Sequence, residues 1–543
     1  MASEKFRSAR AKMNVASTNT ISLLDQLWEA LHGNLPRSEL IALAHSAEIT
    51  SADADLWSHE SPRSEIIPVW NDETLTQSNQ ALLNLKLNPA AVKRCAVDNL
   101  AFEAEKAVAL GRPALADLLL KHCDAARLTF QNGFLNTITI YERAHQHTAF
   151  AEGVVFCPCP FTGIPLESTH SFVVAVDVHK QTYILYRFEG HEPFYLAVSS
   201  WVGYKSFLYL PRHEIALQLG HPGYNWGDAQ PAIAGLKRLV VRRSIAVHDY
   251  LQAATRPAAL LGTMNNLGHF FWNEVSGLTQ LRALGLTNKL QAAVIYRFAF
   301  IDPVKFLNQE KSLEIHRPET PEAMFDTGLE RRLFCVRPTG LRIDTTTVAG
   351  VRQAAESALT SSVRTRMAEA READLVIWFN LRAHNKSWQE QAAGAVAVAK
   401  RAKADGFRLS LYLDGTPDCQ MLADDIRAGV PEQTAIYEGL KVSMEESIAW
   451  AFSCDAYVAT IGSGLTLVTW IAGKRGVAHS ERSHMNQLAF WAEVRPDVPQ
   501  PRAPKLDDIT DLGLGMYCNY SIDPNVIVDL LFSCLTPVKL LVV

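Results

Sequence analysis

A glycine turn is the first place where this sequence could bind a ligand. The turn Gly462-Ser463-Gly464 follows an apolar run, residues 456–461, that predicts a buried strand, and it precedes a helix predicted over 465–473. The first N–H groups of a helix have no partner inside the helix, so they bind phosphate well. The turn has neither the spacing of a dinucleotide fingerprint nor the lysine of a Walker loop. It predicts an anion site, although a plain strand-to-helix turn fits the same residues.

Three preceding strands of the same region also end in side chains that suit a ligand. Arg382 and Lys386 follow one predicted strand, Asp414 ends the next, and Tyr437 ends the third. Ligands of open α/β sheets bind beyond the carboxyl ends of the strands, so the two cations could hold a diphosphate. Each residue alone could be an ordinary polar loop residue, and only the set favours binding. The predicted binding set is Asn266, Arg382, Lys386, Asp414, Tyr437, Gly462, Ser463 and Gly464.

A second cluster could supply a catalytic base. His269, Asn273 and Ser276 lie at i, i+4 and i+7 of a helix predicted over 267–283, and therefore share one face. Histidine is the commonest general base near neutral pH. Glu274 is the second catalytic candidate, but on an ideal helix it lies ~140° around from His269 and needs a local distortion to join it. The alternatives are a capping role for His269 and a structural role for Glu274.

The elements that must position these residues differ along the chain. Residues 1–150 carry apolar residues at helical spacing, with helices predicted over 21–31, 81–87, 91–110 and 114–130. Residues 151–234 are predicted to form a β-rich meander, because short β-branched and aromatic runs start near Ser171, Tyr183, Phe194 and Phe207.

Strand-like and helix-like segments alternate from about residue 235. Strands are predicted over 258–262, 293–300, 374–380, 407–414 and 434–437, with helices between them. The helix over 443–452 opens with a capping box formed by Ser443 and Glu446. Such alternation predicts a parallel sheet covered on both faces. The fold class predicted is α/β with two Rossmann-like domains, one over 235–365 and one over 366–543, after an N-terminal helical region and the β-rich insert.

Composition narrows the class of protein. The 543 residues are 48% hydrophobic and 20% charged, with a net charge of -5, which predicts a globular chain and gives no electrostatic argument for nucleic acid. Nine scattered cysteines fit a reducing compartment, and neither a signal peptide nor a spanning segment is predicted. We expect a cytoplasmic protein and leave peripheral membrane contact open. The Cys157-Pro-Cys159 run predicts a turn rather than a metal site, and His145 and His147 are predicted at the surface.

Three of these segments resemble bacterial glycosyltransferases of the GT-B type, and most closely the glycosyltransferase family 61 group. Residues 266–274, Asn-Leu-Gly-His-Phe-Phe-Trp-Asn-Glu, resemble that group's helix start. Phe379-Asn-Leu-Arg382 with Trp388 and Glu390 resembles its strand-end arginine element, and residues 455–466 resemble its strand and glycine turn. The histidine that often precedes the second small residue in that group is missing here. The resemblance covers about residues 260–490.

The resemblance implies an enzyme, a hexosyl- or related transferase of polysaccharide biosynthesis. Residues 366–543 would hold a nucleotide-sugar, and residues 235–365 would present a glycan or lipid-linked glycan acceptor together with a base. It implies a metal-independent, inverting reaction without a cofactor, in which His269 takes the acceptor proton. The alternative is a non-catalytic nucleotide- or glycan-binding or scaffold protein with the same fold.

Overall fold

Parallel and antiparallel sheets occupy different parts of the chain. The structure is a computed structural model, and it describes residues 21–33, 35–45, 49–60, 63–96, 100–121, 144–176, 181–199, 205–220, 229–307 and 313–539. Within these residues lie one mainly antiparallel sheet of six strands, two parallel sheets of four and five strands, and two small two-stranded sheets. A mixed α/β fold with parallel sheets is therefore confirmed.

The six-stranded sheet contains the predicted meander. Alternate residues of its strands enter two different cores, as Tyr183 and Ile184 do, so both of its faces are buried. A strand from the first 150 residues, Glu65–Pro68, pairs in parallel with Ile215–Gln218, and neither strand is predicted from the sequence. The N-terminal region is therefore not helical throughout. In spatial order the strands are Glu65–Pro68, Ile215–Gln218, Lys205–Leu210, Pro193–Ser199, Gln181–Glu189 and His170–Val176.

Helices of the N-terminal region pack on this sheet. The segment 91–110, predicted as one helix, forms two helices. The helix predicted over 114–130 is confirmed as far as Lys121. Its remaining residues fall in 122–143, which lie outside the described residues. A hairpin of Val155–Pro158 and Pro165–Ser168 carries Cys157. The described helices of the first 251 residues are 21–32, Arg37–His45, Ser51–Glu60, Asp72–Asn84, Pro89–Ala96, Leu100–Ala109, Pro113–Lys121, Ala144–Glu152, Ala229–Arg242 and Ser244–Leu251.

The four-stranded sheet is parallel and contains the strand that leads to His269. Its order is Glu314–His316, Ala292–Ile295, Arg256–Leu261 and Leu333–Val336. The helix predicted over 267–283 is present in three parts, Leu267–His269, a π-helical turn Phe270–Val275 and Ser276–Ala283. The further helices of this part are Pro321–Glu330, Thr345–Ala358 and Ser361–Arg371, with a 3-10 turn at Pro303–Phe306.

The five-stranded sheet carries the glycine turn. Its order is Ala435–Gly439, Leu409–Asp414, Leu375–Asn380, Ala456–Thr460 and Arg475–His479, with every neighbouring pair parallel. The last of these strands is not predicted from the sequence. Its helices are Gln391–Ala404, Gln420–Gly429, Met444–Ser453, Ser463–Thr466, the π-helical Leu467–Ile471, Arg482–Met485, Leu488–Val494 and Pro524–Lys539, with 3-10 turns at Pro417–Cys419 and Leu506–Asp508.

Buried tryptophans join the two parallel sheets through their helices. The rings of Trp272 and Trp470 lie 6.0 Å apart, and Phe490 packs edge-on against Trp272 at 4.6 Å. Trp272 Nε1 also donates to Leu341 O at 2.8 Å, which fixes the ring. The division of the chain into four domains stays a prediction. In the described part of the chain, no helix is long and apolar enough to cross a membrane.

Candidate functional site

Two helices, one from each parallel sheet, meet at their N-terminal ends. The strand Arg256–Leu261 leads to the helix that begins at Leu267, and the strand Ala456–Thr460 leads to the helix that begins at Ser463. A Cβ added to Gly268 would lie 3.4 Å from Thr466 Oγ1, so the first turns of the two helices touch. The first N–H groups of a helix have no partner in the preceding turn of the helix itself, so helix starts are suited to bind an anion. The sequence-predicted base and the glycine turn are therefore neighbours across this contact.

His269 lies in the first turn of its helix and is held by Asn273. Its Nδ1 lies 2.6 Å from Asn273 Oδ1, while Asn273 Nδ2 donates to Gly340 O at 2.9 Å. Because that amide orientation makes Oδ1 an acceptor, His269 Nδ1 carries the proton and Nε2 is the basic nitrogen. Burial lowers the pKa of His269 to about 4, the bond to Asn273 opposes this, and the charge of Arg337 adds to it. The ring is therefore neutral at pH 7, with its proton on Nδ1, and Nε2 is the nitrogen that could accept a proton.

Glu274 lies in the π-helical turn that follows His269, and its carboxylate is hydrogen-bonded to the loop before the helix. Residues five apart stack in a π-helix, and this supplies the local distortion that the sequence requires. Glu274 is 1% exposed, and its oxygens accept from Gly262 N at 2.6 Å and from Thr263 N at 3.3 Å. These bonds fix the loop before the helix, and a catalytic role for Glu274 stays a prediction.

Asn266 caps the same helix. Its side chain accepts from the backbone N–H of His269 at 3.2 Å, and its backbone is extended, as an N-cap requires. This bond orients the turn that carries His269. The structure thus shows a capping contact for Asn266, and donor binding by this residue stays a prediction.

Arg337 is a site residue that the sequence does not reveal. It follows the strand Leu333–Val336, and it is 3% exposed. Arg337 Nε donates to Thr263 Oγ1 at 2.9 Å, and that hydroxyl lies 3.3 Å from Glu274 Oε2. Burial lowers the pKa of Arg337 to about 10, which the charge of Glu274 opposes, so the guanidinium remains charged at neutral pH. The four-residue strand before it gave too short a pattern to be recognised.

Lys386 and Gly462 are in contact at the glycine turn. Lys386 Nζ donates to Ile461 O at 2.7 Å, and a Cβ on Gly462 would lie 2.7 Å from the same nitrogen. Gly462 has φ +123°, a conformation that favours glycine, so both backbone and space require this residue. Lys386 is 5% exposed, and burial together with the charge of Arg382 lowers its pKa to about 8, opposed by Glu481. The predicted cation therefore lies at the predicted turn.

Arg382 is half-buried beside Lys386 and is oriented by its own loop. Its Nε and Nη2 donate to the backbone oxygen and the side-chain oxygen of Asn385 at 2.9 and 2.7 Å. Gln391 binds both the N–H and the carbonyl of Arg382, which fixes the backbone at the strand end. Burial lowers the pKa of Arg382, and its charge in turn lowers the pKa of Lys386. The two cations form one positive region, as the sequence predicts.

Asp414 reaches the glycine turn through Asn380. Asn380 Nδ2 donates to Asp414 Oδ2 at 2.7 Å, and a Cβ on Gly464 would lie 2.5 Å from Asn380 Oδ1. Burial raises the pKa of Asp414 to about 7, although the bond from Asn380 opposes this. Asn380 Oδ1 is buried and has no hydrogen-bond partner in the described structure. Asn380 thus joins the predicted set, and the close fit explains why position 464 is glycine.

Ser463 and Tyr437 differ in their relation to this site. Ser463 is exposed at the first helical position after Gly462, as expected for a residue open to a ligand. Tyr437 instead lies two residues before the end of its strand and packs against Trp450 with ring centroids 5.2 Å apart. A strand residue at that position points sideways into the helical layer, not beyond the sheet edge. The structure thus shows a packing contact for Tyr437, and donor binding by this residue stays a prediction.

Glu481 is a second residue that sequence inspection missed. It follows the unpredicted strand Arg475–His479 and is fully buried. Its carboxylate accepts from His484 Nδ1, Ser480 Oγ and the backbone N–H of Tyr517. Burial alone would raise its pKa, but these bonds lower the pKa of Glu481 to about 2. Tyr517 also places its ring 5.7 Å from Lys386 Nζ, so Glu481 supports the wall beside the lysine.

The cysteines at 157 and 159 and the histidines at 145 and 147 all lie in the protein interior. Cys157 and Cys159 are buried, and Cys157 lies in a hairpin strand. His145 and His147 are also buried, at 1% and 6% exposure, so their predicted surface position is wrong. They belong to the helix Ala144–Glu152, which packs against the helices Leu100–Ala109 and Pro113–Lys121 and against the strand Val155–Pro158. No group of three or more potential metal ligands occurs among the residues that the structure describes.

Two solved structures are similar to this chain at low TM-scores. The glycosyl transferase family 9 protein from Veillonella parvula DSM 2008 is 12% identical, with 47% of this chain and 87% of that chain covered and a TM-score of 0.32. The E. coli ADP-heptose LPS heptosyltransferase II is 11% identical, with 52% and 98% covered and a TM-score of 0.32. No protein-family model and no curated protein matches the chain. Structural similarity at this TM-score supports no conclusion about function.

Proposed function

We propose that this chain is a glycosyltransferase that moves a sugar from a nucleotide-sugar to a hydroxyl group of a glycan or lipid-linked glycan. The observation that carries the proposal is the contact of Gly268 with Thr466, which joins the two helix starts. Two further contacts support the proposal: His269 Nδ1 is bonded to Asn273, which leaves Nε2 as the basic nitrogen, and Lys386 is bonded to Ile461 at the glycine turn. A base next to an anion site is what transfer from an activated sugar phosphate requires.

The glycine turn and the cations would hold the diphosphate of the donor. An ammonium group has three N–H donors, and one of those of Lys386 is used by Ile461 O. The others, with the backbone N–H groups of Ser463 and Gly464, would bind the phosphate oxygens. Arg382 adds a second positive charge. These groups would stabilise the negative charge that develops on the leaving diphosphate, without a resident cofactor.

His269 would act as the base toward the acceptor. The acceptor O–H bond breaks as its proton moves to His269 Nε2, and the oxygen attacks the anomeric carbon of the donor sugar. The bond from that carbon to the phosphate oxygen breaks, and its electron pair leaves with the nucleoside diphosphate. Direct displacement of this kind inverts the configuration of the carbon. Asn273 would stabilise the imidazolium that forms, because its Oδ1 accepts from Nδ1.

The second candidate is a protein that binds a nucleotide or glycan without catalysis, or a scaffold with this fold. The low pKa of His269 favours this alternative, because a histidine with a pKa of about 4 is a weak base. Binding of a nucleotide without turnover would indicate a binding protein, and no nucleotide affinity would indicate a scaffold.

A thermal-shift screen against nucleotides and nucleotide-sugars tests the donor site first. A ligand that binds the native state raises the melting temperature by mass action, and we expect a nucleoside diphosphate and its sugar ester to do so. The stabilising donor is then supplied with a radioactive sugar, and release or transfer of the label is measured. Absence of any nucleotide effect would contradict the donor site, and binding without release of label would contradict the enzyme.

A further inference from the structure

A buried polar group links Arg337 to the N-terminal region of the chain. Gln146, on the helix Ala144–Glu152, is 1% exposed, and Arg337 is 3% exposed. Thr339 joins them, because its backbone N–H donates to Gln146 Oε1 at 2.6 Å and its hydroxyl lies 2.6 Å from Arg337 Nη1. Thr339 therefore links the helix to the loop that follows the strand Leu333–Val336 by polar contacts.

Two nitrogen donors of this group lack a partner. Arg337 Nη2 and Gln146 Nε2 are buried and have no hydrogen-bond partner in the described structure. An unsatisfied buried donor costs about 1–3 kcal/mol, and more when it is charged. Buried polar groups in proteins are normally satisfied by protein, water or ligand. The other nitrogens of Arg337 are bound by Thr263 and Thr339, so the direction of Nη2 is fixed.

Arg337 contacts the loop that precedes His269, and Gln146 is joined to Arg337 through Thr339. Arg337 binds the hydroxyl of Thr263, and Thr182 of the six-stranded sheet donates to the carbonyl of Thr263 at 3.1 Å. Gln181 also lacks partners, but strand alternation turns it to the opposite face from Thr182, so it does not belong to this group. The position thus lies on the His269 side of the contact between the two helices, away from the glycine turn.

We propose that Arg337 and Gln146 bind a carboxylate or phosphate group of the acceptor, which is therefore an anionic sugar. The inference rests on the proposed function, since it treats the His269 side as the acceptor side. A fixed guanidinium suits a planar or tetrahedral oxyanion, and the amide of Gln146 adds a neutral donor. With its charged group held there, the acceptor would present a hydroxyl group to His269.

Titration of the full chain with matched small sugars tests the proposal. D-glucose, D-glucuronate, D-glucose 6-phosphate and inorganic phosphate are compared by calorimetry or saturation-transfer NMR. We expect at least one charged sugar to bind at least about tenfold more tightly than glucose, as a charge-assisted bond provides. Arg337→Gln should remove this difference. Gln146→Leu, which keeps the size and removes the donor, should reduce it severalfold and covers the case in which the arginine variant does not fold.

Measurements on further variants distinguish this site from the donor site. Lys386→Met should leave the preference for the charged sugar intact, whereas nucleoside diphosphate binding should be unchanged in the Arg337 and Gln146 variants. Equal binding of glucose and both charged sugars to the wild type would overturn the proposal, as would a preference that survives both Arg337→Gln and Gln146→Leu. If inorganic phosphate binds as tightly as glucose 6-phosphate, the sugar contributes no affinity, and the proposal of a sugar-binding site would be contradicted. Charged-sugar preference without nucleotide binding would support this inference and contradict the proposed function alone.

Discussion

At the scale of single residues, the site separates groups that can react from groups that hold them. His269 and Lys386 carry the basic nitrogen and the charge that the proposed reaction uses, whereas the hydrogen bonds of Asn273, Asn266 and Glu274 hold the loop and the helix start in place. Catalysis depends on the first kind and geometry on the second. Substitutions should therefore have two distinct kinetic signatures.

Replacement of His269 by Ala should reduce kcat by about 10²–10⁴-fold, because the base is lost, while nucleotide affinity stays the same. Asn273→Ala should reduce kcat less, since the imidazole remains but is no longer held in one tautomer. Turnover of labelled nucleotide-sugar and binding of nucleotide by calorimetry measure the two effects. An unchanged kcat in His269→Ala would contradict the assignment of the base.

The lowered pKa of Lys386 predicts a loss of nucleotide affinity at alkaline pH. The ammonium is charged below about pH 8 and neutral above it, so the affinity for a diphosphate should decline as pH rises through that value. Lys386→Met has a side chain of similar length without charge, and it should bind weakly at every pH without this transition. Nucleotide titrations between pH 6 and 10 measure both, at roughly unit steps. A wild-type affinity that is constant over this range would contradict the role of Lys386.

At the scale of elements, the glycine turn combines two separate requirements at one position. Gly462 needs a positive φ, and its missing Cβ makes room for Lys386 Nζ. The strand pattern and the glycines could be predicted from the sequence, because both are local. Arg337 could not, since it follows a short strand that is defined by pairing with a strand distant in the chain. Glu481 could not either, since it follows a five-residue strand too short to give a clear pattern. The orientation of Tyr437 likewise depends on the helix that covers the sheet.

Gly462→Ala should weaken nucleotide binding more than backbone strain alone explains. The matched control is Gly406→Ala, because Gly406 also has a positive φ, +82°, but no atom lies within 4 Å of the added Cβ. Both variants should lose stability by about 1 kcal/mol or more from strain. Only Gly462→Ala should displace the ammonium and lower nucleotide affinity, by about tenfold or more. Equal affinity in the two variants would show that the contact with Lys386 has no part in binding.

At the scale of the molecule, the two parallel sheets are joined by aromatic rings, by the paired helix starts and by the helix Thr345–Ala358, which packs against the helix Met444–Ser453. Trp272 and Trp470 belong to different sheets, and each ring is also fixed by a hydrogen bond to a carbonyl. The sequence predicts two α/β units, but their contact depends on side-chain packing between segments about 200 residues apart, which no local pattern encodes. We expect this cluster to couple the folding of the two units.

Trp272→Ala should therefore lower stability by about 3–5 kcal/mol and split a single thermal transition into two. Trp272→Phe, the control, keeps most of the packing and loses the hydrogen bond to Leu341 O, so its transition should remain single. Scanning calorimetry of the full chain distinguishes these results. A single transition in Trp272→Ala, with the two variants equally stable, would show that the units are coupled elsewhere.

The two π-helical turns have a consequence for how this protein tolerates changes of length. Phe270–Val275 and Leu467–Ile471 each follow one of the paired helix starts, and a π turn contains one residue more than an α turn. Deleting one residue there would restore an ordinary α-helix with the flanking turns in nearly the same rotational phase, yet it would change the spacing of side chains within the turn, to which Asn273, the partner of His269, belongs. In related chains, a one-residue gap within 270–275 should therefore coincide with the loss of histidine at position 269. The length of that segment would then distinguish related chains that kept the site from those that lost it.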